Sequence, residues 1–281
     1  MKTTVLSLFA ATALFFTCQN AMAQVKLPPA SSTQTLKQGL GIKNIELTYQ
    51  RPNTNGRTIF GDLVPYGEVW RTGANNIPSI TFEEQVSIQG NVVPAGTYGI
   101  FTIPNKDEWT IILSTNVKQW GAYEYKKEED FLRFNVKAET LTNKVETFTI
   151  SFDDVTTKST NVSLAWDLAK VKFTIVADQT KEILASIDEA MKGEKKPYFQ
   201  SAQYYYLNDL DINKAVEWMN IADQGNTNMP YIKYWKARAL LKSGNKAAAI
   251  KTAEEGVDIA KKANNGEYIK LNTQVIEQAK K

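Results

Sequence analysis

Residues 147–176 read TFTISFDDVTTKSTNVSLAWDLAKVKFTIV, and residues 179–190 read QTKEILASIDEA. In the first stretch Phe148, Ile150 and Phe152 alternate with polar residues, as do Val162, Leu164 and Trp166, and then Val171, Phe173 and Ile175. A period of two turns one face of a strand into a core and the other toward water. In the second stretch the alternation stops and Ala, Lys and Glu become frequent, a helical composition. The two patterns meet near residue 178. Upstream, further strand signals rich in β-branched and aromatic residues fall at 46–49, 79–88, 97–103, 109–113 and 131–136. Pro94-Ala95-Gly96 and Asn105-Lys106-Asp107 supply turn chemistry between them. No helical crossover separates these strands, so the sheet is expected to be antiparallel. The fold class predicted is an all-β domain over 24–178, a β-sandwich or open barrel, followed by an all-α helical-hairpin domain over 179–281.

Downstream, helices are predicted at 180–192, 198–207, 212–223, 230–243, 245–262 and 265–280, with Lys195-Lys196-Pro197 as a break. Residues 231–260 resemble a tetratricopeptide repeat. Ala237, Gly244 at the turn, Ala249 and Gly256 are small where two helices of a hairpin approach. A weaker copy covers 199–222, with Ala215 and Ala222 in matching places and Leu210 where the turn glycine would stand. Repeats of this kind commonly hold a peptide or partner chain on a concave face, which makes a protein partner of the helical domain an expectation.

The N-terminus has the makings of a secretory signal. Lys2 is a positive start, an apolar run follows, and Ala21-Met22-Ala23 offers a small-x-small cleavage site. Residues 1–23 are read as that signal, which implies an exported, periplasmic or envelope protein. The rival is a lipid anchor on Cys18, against which the preceding Phe16-Thr17 makes a poor lipobox. No later apolar run is long enough for a transmembrane helix. Cleavage after Ala23 would leave neither Cys nor His, so disulfides could not hold the mature chain together.

The absence of histidine excludes Ser-His-Asp and Cys-His nucleophiles and His-ligated zinc. A single cysteine excludes an internal disulfide and a CxxC site. There is no GxxxxGK[ST] loop, no GxGxxG after a strand and no DxDxDG loop. Neither a cofactor nor a metal is therefore expected. The net charge of +3 gives no footprint for nucleic acid.

Residues 51–76, RPNTNGRTIFGDLVPYGEVWRTGANN, carry the strongest functional signal. The stretch is dense in Gly, Pro and Asn, hence loop. It also holds Ile59, Phe60, Leu63, Val64, Tyr66, Val69 and Trp70, too apolar for a solvated linker. Only five arginines occur in the chain, and Arg51, Arg57 and Arg71 fall here. A guanidinium offers a planar fork for carboxylate or phosphate and stacks on aromatic rings, which lysine does not. Either these arginines and Asn75 build a pocket for an anionic ligand, or they pin the loop by satisfying carbonyls and carboxylates such as Asp62 and Glu68.

GRTIFGDLVPYGEVWRTGAN, followed by PAGTYGIFTIP, EWTIIL and QWGAYEY, resembles the secreted bacterial family catalogued as domain of unknown function twenty-nine eleven, common in Bacteroidota. The resemblance spans about 36–175. It implies an exported β-rich module and brings no established activity, so it assigns no catalytic residue. Arg57, Arg71, Asn75 and Trp120 fall within its motifs.

Trp109, Trp120 and Tyr123 lie close in sequence. Exposed rings beside amides would stack on a sugar; buried ones would be core. Trp109 and Trp166 are read as core, and Trp120 is open between the two. The acidic run 128–130 reads as a solvated strand start, and Asp153-Asp154 as a turn. The leading functional expectation is a non-catalytic envelope binding or scaffolding protein. One alternative is a cofactor-free enzyme or small-ligand receptor, with Arg57 and Arg71 holding an anion and a carboxylate or Tyr66 as base. The other is a carbohydrate-binding module using Trp120 and Tyr123. The candidate ligand residues are Arg51, Arg57, Tyr66, Arg71, Asn75, Trp120 and Tyr123.

Overall fold

A computed structural model describes residues 27–281. The expected signal segment 1–23 and Cys18 lie outside the described residues. The chain divides into two compact units, the first ending at Ala177 and the second running over Asp178–Lys281.

The first unit is a nine-stranded antiparallel sheet. Its strands are β1 Ser32–Leu40, β2 Lys43–Arg51, β3 Ser79–Phe82, β4 Val86–Ile88, β5 Asn91–Val93, β6 Gly96–Ile103, β7 Glu108–Ser114, β8 Asp130–Asp153 and β9 Ser159–Val176. They lie in the order β1-β2-β3-β6-β7-β8-β9-β4-β5. The inward faces share one core that includes Leu47, Tyr49, Ile80, Ile100, Trp109, Phe148, Leu164 and Phe173. Beyond β2 the chain meets the far half of β8, where Asn53 bridges Thr147 and the Tyr49 hydroxyl donates to the Ile150 carbonyl at 3.2 Å. That contact curls the sheet around its core.

Several strand boundaries differ from the expectation. Residues 79–88 form two strands, because β3 pairs with β2 and β6 while β4 leaves to pair with β5 and β9. Residues 131–136 and 147–152 belong to one 24-residue strand, β8. Its first part pairs with β7 and its second with β9. Likewise 162–166 and 171–176 are both β9. The join is marked by Asp167 at φ 54°, and the β8–β9 register shifts between Thr140 and Val145 and again between Val145 and Thr149. These extra residues bend the strands and reverse which parity points inward, from Trp166 to Val171. Phe148, Ile150, Val162, Leu164, Trp166, Val171, Phe173 and Ile175 are all buried, as the alternation predicts. β1 and β5 carried no sequence signal and are held by pairing with β2 and β4.

The second unit holds helices α1 Thr180–Ala190, α2 Tyr198–Leu207, α3 Ile212–Gln224, α4 Pro230–Lys242, α5 Lys246–Lys262 and α6 Gly266–Ala279. All six match their expected positions closely. Three connections share one device: a left-handed residue ends one helix and an Asx side chain caps the next. The left-handed residues are Asp209 (φ 54°), Gly244 (φ 88°) and Asn264 (φ 51°). The caps are Asp211, Asn245 and Asn265. Asp209 therefore does at the first turn what glycine does at the second, one position before Leu210. Gly256 is small for a reason beyond its own hairpin. A Cβ there would lie 2.4 Å from Asn272 Oδ1, so it admits the buried Asn272 of α6.

Candidate functional site

The loop after β2 is stapled to β8 through Arg51, the last residue of β2, and Glu146 of β8, while Arg57 clasps the loop onto itself. Arg51 Nε donates to the Phe148 carbonyl at 3.2 Å and Nη2 to Thr149 Oγ1 at 2.9 Å. Arg57 Nε donates to the Thr54 carbonyl at 2.9 Å and Nη2 to that of Asn53 at 2.7 Å. The Glu146 carboxylate accepts the Thr54 hydroxyl and, at 2.8 Å, the Asn55 N–H. Those bonds, the Thr54 hydroxyl first, hold its carboxyl below the ordinary glutamate range. Arg51 and Arg57 are thus clasps on carbonyls and a hydroxyl. Of the apolar residues in this loop, Ile59, Val64 and Trp70 are buried, while Leu63 and Tyr66 face solvent.

Farther along, the loop pairs with residues 119–121. The Ile77 N–H donates to the Gln119 carbonyl at 3.1 Å, Asn76 bridges Trp120, and the Gly121 N–H donates to the Asn75 carbonyl at 2.8 Å. Both segments lie over the outer face of β6 and β7, where Ile77, Phe101 and Ile112 pack against Val69, Ala122 and Tyr125. The pairing alternates like a strand: Gln119 points in and is buried, so Trp120 points out. Trp120 is 62% exposed and Tyr123 is 79% exposed. Their rings lie 6.0 Å apart at 23°. Arg71 brings its guanidinium carbon to 5.6 Å from the Trp120 ring. Gly121, at φ 78°, sits among the three. A Cβ on it would lie 2.8 Å from the Tyr123 ring and 3.3 Å from Arg71 Nη1. Only glycine gives both the turn and the space.

Arg71 differs from the other loop arginines: among the described residues its guanidinium finds no hydrogen-bond acceptor. It borders a groove of about 160 Å³ with Leu63, Glu68, Val69, Ala122 and Tyr123. Asn75 is exposed, at φ 55°, and reaches the cluster through its backbone. Tyr66 lies elsewhere. Its ring covers Gly61, and it lines a separate groove of about 380 Å³ with an apolar floor that includes Phe60 and Trp109 and a rim holding Asp107, Glu139 and Asp167. So the seven candidate residues separate into two clasps (Arg51, Arg57), one surface cluster (Arg71, Trp120, Tyr123, with Asn75 behind it) and Tyr66 in its own groove. Gln119 carried no signal of its own, and Gly121 and Leu63 were not among the seven candidates. The left-handed Gly121 between two aromatic residues was the available signal. Trp109 and Trp166 are core, as expected.

Tyr125 anchors the segment that carries the cluster. Its hydroxyl donates to both Asp130 carboxylate oxygens, at 2.9 and 2.8 Å, and accepts from Arg133. Burial first, then the bond and charge of Asp130, push its pKa up to about 12 from 10.0. The phenol is therefore held neutral in the folded state, and its contribution to stability is complete below about pH 10. It is lost as pH rises through about 12. Melting temperature against pH is expected to fall more steeply between pH 10 and 12 for the wild type than for Tyr125→Phe. The variant starts lower, because it lacks the bonds to Asp130. Parallel curves would contradict this.

The model of a family described as "Protein of unknown function (DUF2911)" matches residues 31–175, just over half of the chain. The matched segment carries every residue of the Arg71–Trp120–Tyr123 cluster and stops before the helical unit. No match was found among curated proteins or among solved structures.

Proposed function

The chain belongs to the DUF2911 family of proteins of unknown function, and from the surface its matched segment builds we propose that it is an exported, non-catalytic binding protein of the cell envelope. Its ligand has a ring face and an anionic group, the chemistry of an acidic saccharide. The observation that carries this is Arg71 lying on the exposed Trp120 beside the exposed Tyr123. Two accessible aromatic rings offer the apolar face a sugar ring stacks on, and the adjacent guanidinium fork suits a carboxylate. Trp120 and Tyr123 contribute little as core, so their exposure calls for a use outside folding. Export rests on the reading of residues 1–23.

The test is a tryptophan-fluorescence titration of the full chain with uronic-acid oligosaccharides and their neutral counterparts. Saturable binding is expected for the acidic series. Trp120→Ala should abolish it, and Arg71→Ala should weaken it about tenfold while sparing any weak neutral binding. The melting temperature of Trp120→Ala should stay within about 2 °C of wild type, since exposed side chains change stability by about ±0.5 kcal/mol, and that of the half-buried Arg71→Ala should fall by no more than a few degrees. Equal binding of acidic and neutral sugars, or undiminished binding by Trp120→Ala, would refute the proposal.

A further inference from the structure

Of the five arginines, Arg51, Arg57 and Arg133 have oxygen partners. Arg238, on α4, resembles Arg71 in having no hydrogen-bond acceptor among the described residues. It is half-buried and held on three ring faces, with its guanidinium carbon 4.8 Å from Tyr206, 5.2 Å from Tyr234 and 4.7 Å from Trp235. Ring faces fix a guanidinium in place without using its N–H donors. Five donors in a fixed fork are thus presented to whatever enters beside them.

What lies beside them is a groove of about 280 Å³ lined from α2, α4 and α6. Its charged lining residues are Arg238 and Lys242, and no carboxylate is among them. Lys242 is tied to Asp209 and to the Tyr206 carbonyl at 2.9 Å, which leaves Arg238 as the cation ready for an anion. Leu241, Leu271 and Val275 give the groove an apolar seat. Gln274 and Gln278, four apart on α6, are exposed at its edge with amide donors and acceptors.

We propose that this groove binds an acidic peptide segment of a partner protein, an Asp or Glu carboxylate entering the Arg238 fork and a neighbouring apolar side chain resting on Leu241, Leu271 and Val275. The two glutamines then meet the peptide backbone. A free phosphate or nucleotide would satisfy the guanidinium but leave the apolar seat and the amide pair without partners. A peptide uses all three. This site lies wholly within the helical unit and stands apart from the saccharide reading of the β unit.

The experiment selects a random 12-residue peptide library on the full chain and measures the best binder by fluorescence anisotropy at 50 and 200 mM salt. Enrichment of Asp or Glu next to Leu, Ile, Val or Phe is expected. Replacing that acid by its amide should weaken binding about tenfold, and Arg238→Met, which keeps the apolar stem on the rings, should do the same. Because Arg238→Met can disturb packing, the exposed pair Gln274→Ala/Gln278→Ala serves as the second variant. It should fold as wild type and weaken binding several-fold. Trp120→Ala should leave peptide binding unchanged. No enrichment, enrichment of neutral or basic peptides, indifference to Arg238→Met, or full competition by millimolar inorganic phosphate would each overturn the proposal.

Discussion

Replacing Trp166 with alanine is expected to remove about 3–5 kcal/mol from the stability of the β unit, the range for emptying a buried aromatic site. Trp166 is 2% exposed and lies at the centre of an aromatic cluster. It stacks on Trp70 at 5.8 Å and 12°, and meets Phe148 at 5.9 Å and Phe60 at 6.3 Å edge-on. Two of these neighbours, Phe60 and Trp70, come from the loop after β2, so the cavity would open directly beneath the loop that carries Arg71. The indole also donates to the Glu146 carbonyl at 3.2 Å. That residue's side chain holds Thr54 and Asn55, so losing the indole loosens the staple from a second direction. Chemical denaturation followed by near-ultraviolet dichroism would read the loss. Trp166→Phe restores most of the volume and should recover all but about 1–2 kcal/mol, the cost of one lost hydrogen bond and a smaller ring, since the Glu146 carbonyl keeps the Thr54 N–H as its donor. A loss under about 1.5 kcal/mol for the alanine variant would mean that the cluster collapses freely and does not support the loop.

The second large effect lies in the helical unit. Lys233 on α4 and Asp223 on α3 have side chains only 8% exposed. The lysine lies 2.9 Å from Asp223 Oδ1 and 2.9 Å from Glu255 on α5, and Lys236 reaches Asp223 at 2.8 Å. One ionic group thus joins three helices. Lys233→Ala leaves the buried Asp223 with Lys236 alone, and is expected to cost about 2–4 kcal/mol, somewhat under the usual range for stranding a buried charge. Lys233→Met/Asp223→Leu removes both buried charges and should recover most of that. pH gives an independent check. Burial disfavours the Lys233 charge, but its bonds to Glu255 and Asp223 and their charges outweigh this and raise its pKa above the ordinary 10.5. Its contribution is therefore complete below about pH 10.5 and is lost as pH rises through the raised value. The stability gap between wild type and Lys233→Met should narrow in that alkaline range. A gap that stays constant would remove the ion pair as its cause.

The helices were legible because composition, breaks and caps all spoke locally. Asp209 shows where that stopped, since a left-handed non-glycine residue leaves no compositional mark. In the sheet, buried alternation was plain, but strand continuity was not. Residues 137–146 of β8 are mostly exposed and hold only Ala138, Leu141 and Val145 as apolar residues, too few and too irregularly spaced to link the two halves by alternation. β1 is exposed along most of its length and is held by its ladder to β2, a long-range property. At the candidate site, arginine scarcity pointed to the loop that carries Arg71. Whether each arginine was clasp or free could not be read, because the partners of Arg51 lie in β8 and the ring under Arg71 lies across another loop. Those pairings depend on register, which no local window carries.

The position of β4 in the sheet has a consequence for the order in which the chain can fold. β4 and β5 pair over only three residues each, and a two-stranded hairpin that short is marginal alone. Their one other partner is the end of β9, through Ser87 with Val176 and Ile88 with Ile175. A chain emerging from the ribosome therefore carries this hairpin unplaced until almost the last residue of its first unit has been made. Closing a loop of that length is entropically expensive and slow, whereas successive helices of the second unit need only their neighbours in sequence. Folding of the first unit should accordingly be gated by its final strand, and a chain cut before Ile175 would lose the seating of two strands, β4 and β5, with the removal of one strand end.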